Sequence, residues 1–176
     1  MSSVVLSGDT SGAVTLTVPA VAGTNTATLP AATGTVMVSG NMPAFSVYNS
    51  SATSLATATL TKIAFQTKEF DTASAFDSTT NYRFTPLVAG YYQVNGCVNA
   101  TAMTSGLVSI YKNGSEYKRG VQYSAINVAA NVSSLVYLNG STDYIELWAY
   151  QNSGLTQTTS TGLTLTYFNG SLVRAA

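Results

Sequence analysis

From Pro43 onward the sequence is a succession of short segments rich in β-branched and aromatic residues, each bounded by Gly, Asn, Asp or Ser. Helical periodicity is hard to find there, whereas this segment composition is typical of strands. The segments that we predict as strands are PAFSVYNS, TKIAFQTKEFD, NYRFTPL, GYYQVNGCVNA, LVSIYKNG, EYKRGVQYS, VSSLVYLNG, DYIELWAYQ and TGLTLTYFNGSLV. Many short strands with regular turns predict an all-β sandwich or jelly roll.

The clearest turn signal is Asn113-Gly114, between LVSIYK and SEYKRG. A type I′ turn needs positive φ at both central positions, and Asn-Gly is the pair that tolerates this best. The sequence therefore predicts a tight β-hairpin at this point.

The first part of the chain differs from the rest because it contains a short internal repeat. TLTVPAVAGT at residues 15–24 aligns with TATLPAATGT at residues 26–35, and both end a threonine-rich strand with Pro and then Gly. One aliphatic row per strand is too little for an independent core, so this segment must lie on another surface. We therefore predict an extended β arm over residues 1–42, followed by a globular domain over residues 43–176. The surface under the arm belongs either to a different protein or to a neighbouring subunit, and the arm residues predicted to make the contact are Val14, Leu16, Val18, Leu29 and Val36.

Charged residues are scarce, at 8% of the chain against about 25% in typical soluble domains. Seven basic and seven acidic residues give a net charge of zero, without the basic stripe that nucleic-acid binding needs. So little charge suits a subunit of a larger assembly better than a free enzyme. We predict no nucleic-acid partner.

Cys97 is the single cysteine, so we expect no disulfide within the chain and interpret Cys97 as a small buried hydrophobe. The N-terminus resembles no signal peptide, and nowhere do 18 apolar residues run together. The sequence therefore predicts a protein that is made in the cytoplasm and does not span a membrane.

The sequence offers little for catalysis. It has no histidine, which excludes Ser-His-Asp and Cys-His arrangements and histidine metal sites. Asp71 with Asp77 is the pair to consider for glycoside hydrolysis, and Asp71, Asp77 and Asp143 for calcium, but no EF-hand spacing is present. Charged residues at strand ends are most often solvated, so we predict no enzyme, no cofactor and no metal.

The order of these segments resembles the C1q-like globular domain, a relative of the tumour necrosis factor jelly roll. Three groups of residues carry the resemblance most clearly: the corner Phe84, Thr85, Pro86, Gly90, Tyr91 and Tyr92; the segment from Leu135 to Trp148 with Gly140 and Asp143; and the closing Phe168, Gly170, Ser171 and Leu172. The resemblance covers residues 43–174. It implies a ten-strand jelly roll that assembles as a homotrimer around an apolar, aromatic-lined axis.

Because strand side chains alternate, Tyr91 and Tyr92 must point to opposite faces, one into the core and one to the surface or a subunit interface. Tyr144, Trp148 and Tyr150 likewise share one face of a strand, either at the trimer axis or in an exposed groove that binds sugars. Ile145, Leu147 and Ala149 share the other face, which we predict to lie in the core. The resemblance thus implies a trimer interface drawn from Tyr91, Tyr92, Tyr144, Trp148, Tyr150 and Phe168.

The arm segment TLTVPAVAGTNTATLPAATGTV resembles segments common in the virion proteins of bacteriophages, a group that includes the cyanophages. Joined to a C1q-like head, it implies a homotrimeric capsid decoration or cement protein, located in the virion and anchored by its arm. The partners implied are the chain itself and a major capsid protein or other virion protein. The surface that the arm contacts is then either the capsid or a neighbouring subunit. The alternative is a receptor-binding knob of a tail or head fibre that recognises a host surface glycan.

Overall fold

The structure is a computed structural model that describes residues 3–21, 23–28, 31, 33–34, 36–102, 104–122 and 129–176. The chain forms two compact units, residues 1–34 and residues 35–176. The predicted arm of residues 1–42 therefore covers the smaller unit and the first residues of the larger one. In the larger unit, Met37 packs against the hydrophobic core and Ser39–Asn41 form a short 3-10 helix.

The smaller unit contains one hairpin, made by β1 (Ser3–Ser7) and β2 (Ala13–Thr17). The two strands pair antiparallel, and the Gly8 amide donates to the Gly12 carbonyl at 3.0 Å to close the turn. β2 holds the first predicted repeat strand. The second repeat was predicted to form a strand too, but residues 26–28 are not in one, and Leu29 and Pro30 lie outside the described residues.

The strands of the larger unit, within the described part of the chain, follow in sequence order. The first group is β3 (Ala44–Tyr48), β4 (Ser54–Leu55), β5 (Thr61–Lys62), β6 (Thr67–Asp71), β7 (Phe76–Asp77), β8 (Arg83–Phe84) and β9 (Gly90–Val98). The second group is β10 (Gly106–Lys112), β11 (Ser115–Arg119), β12 (Ala130–Leu138), β13 (Ile145–Gln151), β14 (Gln157–Thr158) and β15 (Tyr167–Ala175).

These strands build two facing sheets, which confirms the predicted jelly-roll sandwich. The five-stranded sheet has the order β12-β9-β15-β3-β6. The six-stranded sheet has the order β11-β10-β13-β8-β7, with β5 also paired to β13. The small pair β14-β4 forms a separate two-stranded sheet, and Leu55 of β4 belongs to the core. No helix of the described residues is long and apolar enough to cross a membrane.

Aromatic rings fill the space between the sheets. Phe45 stacks on Phe84 with ring centroids 4.2 Å apart and meets Phe168 edge-on at 5.2 Å. Both faces contribute aliphatic side chains as well, and Gly96 of β9 gives room for Leu147 of β13, since a β-carbon at Gly96 would collide with the leucine methyls. Burial of this cluster is the main source of stability in a chain without disulfides.

The Asn113-Gly114 turn is confirmed: φ is +53° at Asn113 and +77° at Gly114, and the turn joins β10 to β11. The predicted strand over residues 61–71, however, is wrong as a single element. It divides into β5 in one sheet and β6 in the other, because Ile63 and Phe65 both enter the core where the chain crosses between the sheets.

The two ends of the sandwich differ. At one end β3 begins and β15 ends, with the Leu172 amide donating to the Pro43 carbonyl at 2.9 Å. At the opposite end a buried polar network holds the loops together, because the Asn49 side-chain amide donates to the carbonyls of Ser51 and Ala64 and accepts from the Thr159 hydroxyl. We call these the entry end and the loop end.

Candidate interface surfaces

The six residues predicted for a trimer interface do not share a surface. Tyr92 and Phe168 have 0% of their surface exposed in the core, so their assignment to an interface is wrong. Both point inward because they occupy the core-facing positions of β9 and β15. Tyr91 lies on the outer face of the five-stranded sheet, 39% exposed. The other three residues are half-buried on the six-stranded sheet: Tyr144, Trp148 and Tyr150.

The outer face of the five-stranded sheet carries an exposed patch that the sequence interpretation missed. Tyr137 pairs with Tyr91 across β12 and β9, with ring centroids 5.4 Å apart, and Leu135 follows two positions away at 49% exposure. We call Tyr91, Leu135 and Tyr137 the tyrosine patch. The signal was present in VSSLVYLNG, where Leu135 and Tyr137 alternate with the core residues Val136 and Leu138.

Next to the tyrosine patch, a ladder of amide and hydroxyl side chains crosses the sheet. The Gln93 amide donates to the Ser133 hydroxyl at 2.9 Å, and this hydroxyl donates to the Asn95 carbonyl oxygen at 2.8 Å. The Asn95 amide donates in turn to Asn169 at 3.1 Å. These groups satisfy one another, so covering this face with a partner would leave few polar groups without hydrogen bonds.

The far side of the same face forms a shallow pocket of about 250 Å³. Tyr48, Tyr167 and Leu163 line it together with Glu69, which accepts a hydrogen bond from the Ser46 hydroxyl at 2.9 Å. Cys97 lies on this outer face as well, where its thiol donates to the Leu165 carbonyl at 3.4 Å; it is buried as predicted, and burial raises the pKa of the thiol. A buried thiol of this kind is an unreactive packing residue.

The outer face of the six-stranded sheet is charged and aromatic, and its groups pair with one another. Trp148 stacks on Tyr111 at 4.6 Å, and its indole N–H donates to Glu146 at 3.0 Å. Lys62 forms an ion pair with Glu146 at 3.2 Å, and Arg83 lies 4.3 Å above the ring of Tyr144. Covering this face would require the removal of water from several charges, which costs more than covering the tyrosine patch.

Tyr150 borders a pocket of about 310 Å³ on this six-stranded face. The pocket is lined by Leu60, Leu107, Arg119, Gln122 and Tyr150. It combines an apolar floor with a guanidinium and an amide, which is the kind of mixture that small polar ligands use.

The carboxylates considered for chemistry hold loops in place. Asp77 accepts hydrogen bonds from the backbone N–H groups of Thr80 and Thr79, and these bonds hold the pKa of its carboxyl far below the usual range. Asp71 accepts from the backbone N–H groups of Ala75 and Phe76 and pairs with Lys68 at 2.8 Å. Each carboxylate therefore has a structural role that accounts for its position.

Asp143 joins two loops at the entry end. It pairs with Lys112 at 2.8 Å and accepts from the Asn113 amide at 2.7 Å, and both contacts hold its pKa below the ordinary value. Asp71, Asp77 and Asp143 do not converge, and the described residues contain no group of three side chains that could hold a metal ion.

In the smaller unit, the predicted arm residues expose their side chains. Val14, Leu16 and Val18 are each more than half exposed in the described unit, and Leu29 lies outside the described residues. Val36, at the start of the larger unit, is also exposed. Their role in anchoring the protein stays a prediction.

Comparison with known proteins supports the assignment of the fold. The chain matches no family model and no curated protein at a significant level. It is similar to the crystal structure of murine APRIL at pH 5.0, with 13% identity and a TM-score of 0.57 over 75% of this chain and 99% of that one. It is also similar to Eiger TNF from S. frugiperda, with 11% identity and a TM-score of 0.53 over 77% of this chain and 93% of that one. The fold is therefore a C1q/TNF-like jelly roll.

Proposed function

We propose that this chain is a non-enzymatic structural protein of a bacteriophage virion, a capsid decoration or cement protein. Its head assembles as a homotrimer, and its N-terminal arm attaches it to a major capsid protein or another virion protein. Support comes from the jelly-roll fold, the scarcity of charge and the phage-type arm segment of residues 15–36.

The observation that carries the assembly proposal is the contrast between the two outer faces of the sandwich. The face of the five-stranded sheet offers Tyr91, Leu135 and Tyr137 beside a ladder of neutral hydrogen-bonded side chains. Aromatic residues are enriched and charges depleted at the cores of interfaces, whereas the six-stranded face combines its aromatic rings with the charges of Lys62, Glu146 and Arg83. We therefore place the trimer contact on the five-stranded sheet, and not on Tyr144, Trp148 and Tyr150.

The loop-anchoring roles of Asp71, Asp77 and Asp143 support the non-enzymatic part of the proposal. Asp71 and Asp77 accept hydrogen bonds from their own loops, and Asp143 accepts one from Asn113 in a neighbouring loop, so each carboxylate has a structural role. Attachment of the protein to an assembled shell would stabilise that shell by mass action, since binding favours the assembled state over its parts.

A receptor-binding knob is the second candidate, and the pocket beside Tyr150 favours it. Stacking on half-exposed aromatic rings together with hydrogen bonds from Arg119 and Gln122 would suit a host surface glycan. A glycan array with the wild-type chain and the Tyr150→Ala variant separates the two candidates. Saturable binding that the variant loses supports the knob.

Two measurements test the first candidate. Light scattering of the full chain should give a mass of about three times 18.3 kDa. Antibodies against the chain should label the shells of purified virions whose genome encodes it. A monomeric mass, or virions without label, would contradict the proposal.

A further inference from the structure

The hairpin of the smaller unit presents one purely aliphatic face. Val4 pairs with Leu16 and Leu6 pairs with Val14, and cross-strand partners in an antiparallel pair share a face. The four side chains are between 58% and 63% exposed. We call Val4, Leu6, Val14 and Leu16 the aliphatic face.

A hairpin with such a face is expected to be stabilised by burial of that face against another surface. A two-stranded hairpin is marginally stable in water by itself, and its stability increases when an apolar face is buried. Asp9, in the turn, is the one charged residue among residues 1–61. The aliphatic face therefore has no charge with which to select a partner of opposite sign, and only shape and apolar area can decide what covers it.

The arrangement of the aliphatic face is self-complementary. Each of its two cross-strand layers holds one valine and one leucine, with the order reversed between the layers. The two leucines thus lie on one diagonal and the two valines on the other. In a threefold arrangement each layer would hold three valines and three leucines, and equal layer volumes let the three hairpins pack without a taper.

We propose that the aliphatic faces of the three hairpins in a trimer pack against one another, as a second contact between copies of this chain. The inference rests on the proposed homotrimer, because assembled heads tether three hairpins to one particle. Linking groups to one particle raises their effective concentration, up to the millimolar range for short linkers. Aliphatic faces that bind too weakly to join free monomers can then associate.

Engineered cysteines in the full chain test this contact, because the native Cys97 is buried and leaves a low background. Leu6→Cys and Leu16→Cys place a thiol on the aliphatic face. Val5→Cys, on the opposite face of β1 and 56% exposed, is the matched control. Each variant is treated with diamide, which accepts the electrons and protons of two thiols, and is separated by non-reducing electrophoresis. Light scattering under reducing conditions gives the mass of each assembly.

We expect linked chain pairs for Leu6→Cys and Leu16→Cys within particles of trimer mass, and background linkage for Val5→Cys. Equal linkage of Val5→Cys, or no linkage at either aliphatic position in particles of trimer mass, would overturn the hairpin contact and leave the trimer intact. A linked product with twice the trimer mass would also overturn it, because the hairpins would then join separate particles. Monomeric mass in every variant would instead overturn the proposed trimer.

Discussion

The rings of Tyr91 and Tyr137 lie 5.4 Å apart on the outer face of the five-stranded sheet, and each keeps about 40% of its surface exposed. Their backbones are direct partners in the β9-β12 ladder, so the ring pair has a fixed position on the sheet. A fixed aromatic pair can be covered by a partner with little further loss of side-chain entropy. We therefore expect this pair to lie at the centre of the proposed contact between copies.

Tyr137→Arg should convert the proposed trimer to a monomer. The guanidinium would place one charge per subunit in the contact, and like charges packed together without partners cost several kcal/mol, on the order of 3–5. The measurement is the solution mass of the full chain by light scattering.

Tyr117→Arg is the matched control for this change. Tyr117 is 42% exposed on β11 and has Lys118 5.3 Å from its ring, much as Tyr137 is 40% exposed and has Lys112 at 5.6 Å. The control should remain trimeric. Dissociation of both variants to the same extent would contradict the placement of the contact on the tyrosine patch.

Phe168→Ala should destabilise the fold of each subunit, since Phe168 belongs to the core. Removal of a buried phenylalanine costs about 3–5 kcal/mol, and the ring of Phe168 packs against those of Phe45 and Phe65. Urea unfolding followed by circular dichroism measures the free energy. Leu163→Ala, at a half-exposed position, should change it by less than about 0.5 kcal/mol, and equal losses would argue against the core assignment.

Tyr92 should make the fold sensitive to alkali. Burial raises the pKa of Tyr92 from 10.0 to about 12, so between these values the folded state holds a proton that the unfolded state has lost. Stability contributed by the neutral phenol is therefore fully present below pH 10 and falls as the pH rises towards 12. Denaturant unfolding at a series of pH values should show this fall.

Tyr92→Phe serves as the comparison for the alkaline series. It removes the hydrogen bond from the Tyr92 hydroxyl to the Val88 carbonyl at 2.7 Å, at a cost of about 0.5–1.5 kcal/mol near neutral pH. The variant should lose less stability than the wild type above pH 10. Parallel pH curves for the two proteins would contradict the role of Tyr92.

Asp143→Asn should destabilise the entry end at neutral pH by about 1.5–3 kcal/mol, the range for hydrogen bonds to charged groups. The ion pair with Lys112, and then the bond from Asn113, lower the pKa of Asp143 from its ordinary 3.8. The stability from the ionised carboxylate is thus present above pH 3.8 and is lost as the pH falls through the folded-state pKa. The difference between wild type and variant, measured by urea unfolding, should shrink in acid. Asp9→Asn, in the exposed turn, should leave the stability nearly unchanged at either pH.

Local patterns in the sequence predicted the jelly roll and its turns well. Alternation in DYIELWAYQ placed Ile145, Leu147 and Ala149 in the core correctly, and Asn113-Gly114 predicted its hairpin. These signals depend on neighbours within a few residues, which is the information that a single sequence carries most directly.

The tyrosine patch could not be predicted from the sequence, because its position depends on which strands become neighbours in the sheet. Tyr91 and Tyr137 meet only because β12 pairs with β9, across 46 positions of sequence. Phe168 was misplaced for a related reason, since alternation tells that residues 168 and 169 face opposite ways but not which way is inward. The change of sheet between β5 and β6 likewise results from the burial of Ile63 and Phe65, and no local breaker marks it.

The polarity of the sandwich gives the head a built-in direction. The chain enters β3 and leaves β15 at the entry end. A support that is joined to the chain before β3 or after β15 would therefore be linked to the entry end. In the proposed attachment, the loop end, which Asn49 and Thr159 hold together, would face away from the support. A peptide inserted between Ser153 and Gln157 would be displayed away from such a support, whereas one appended after Ala176 would emerge on the tethered side.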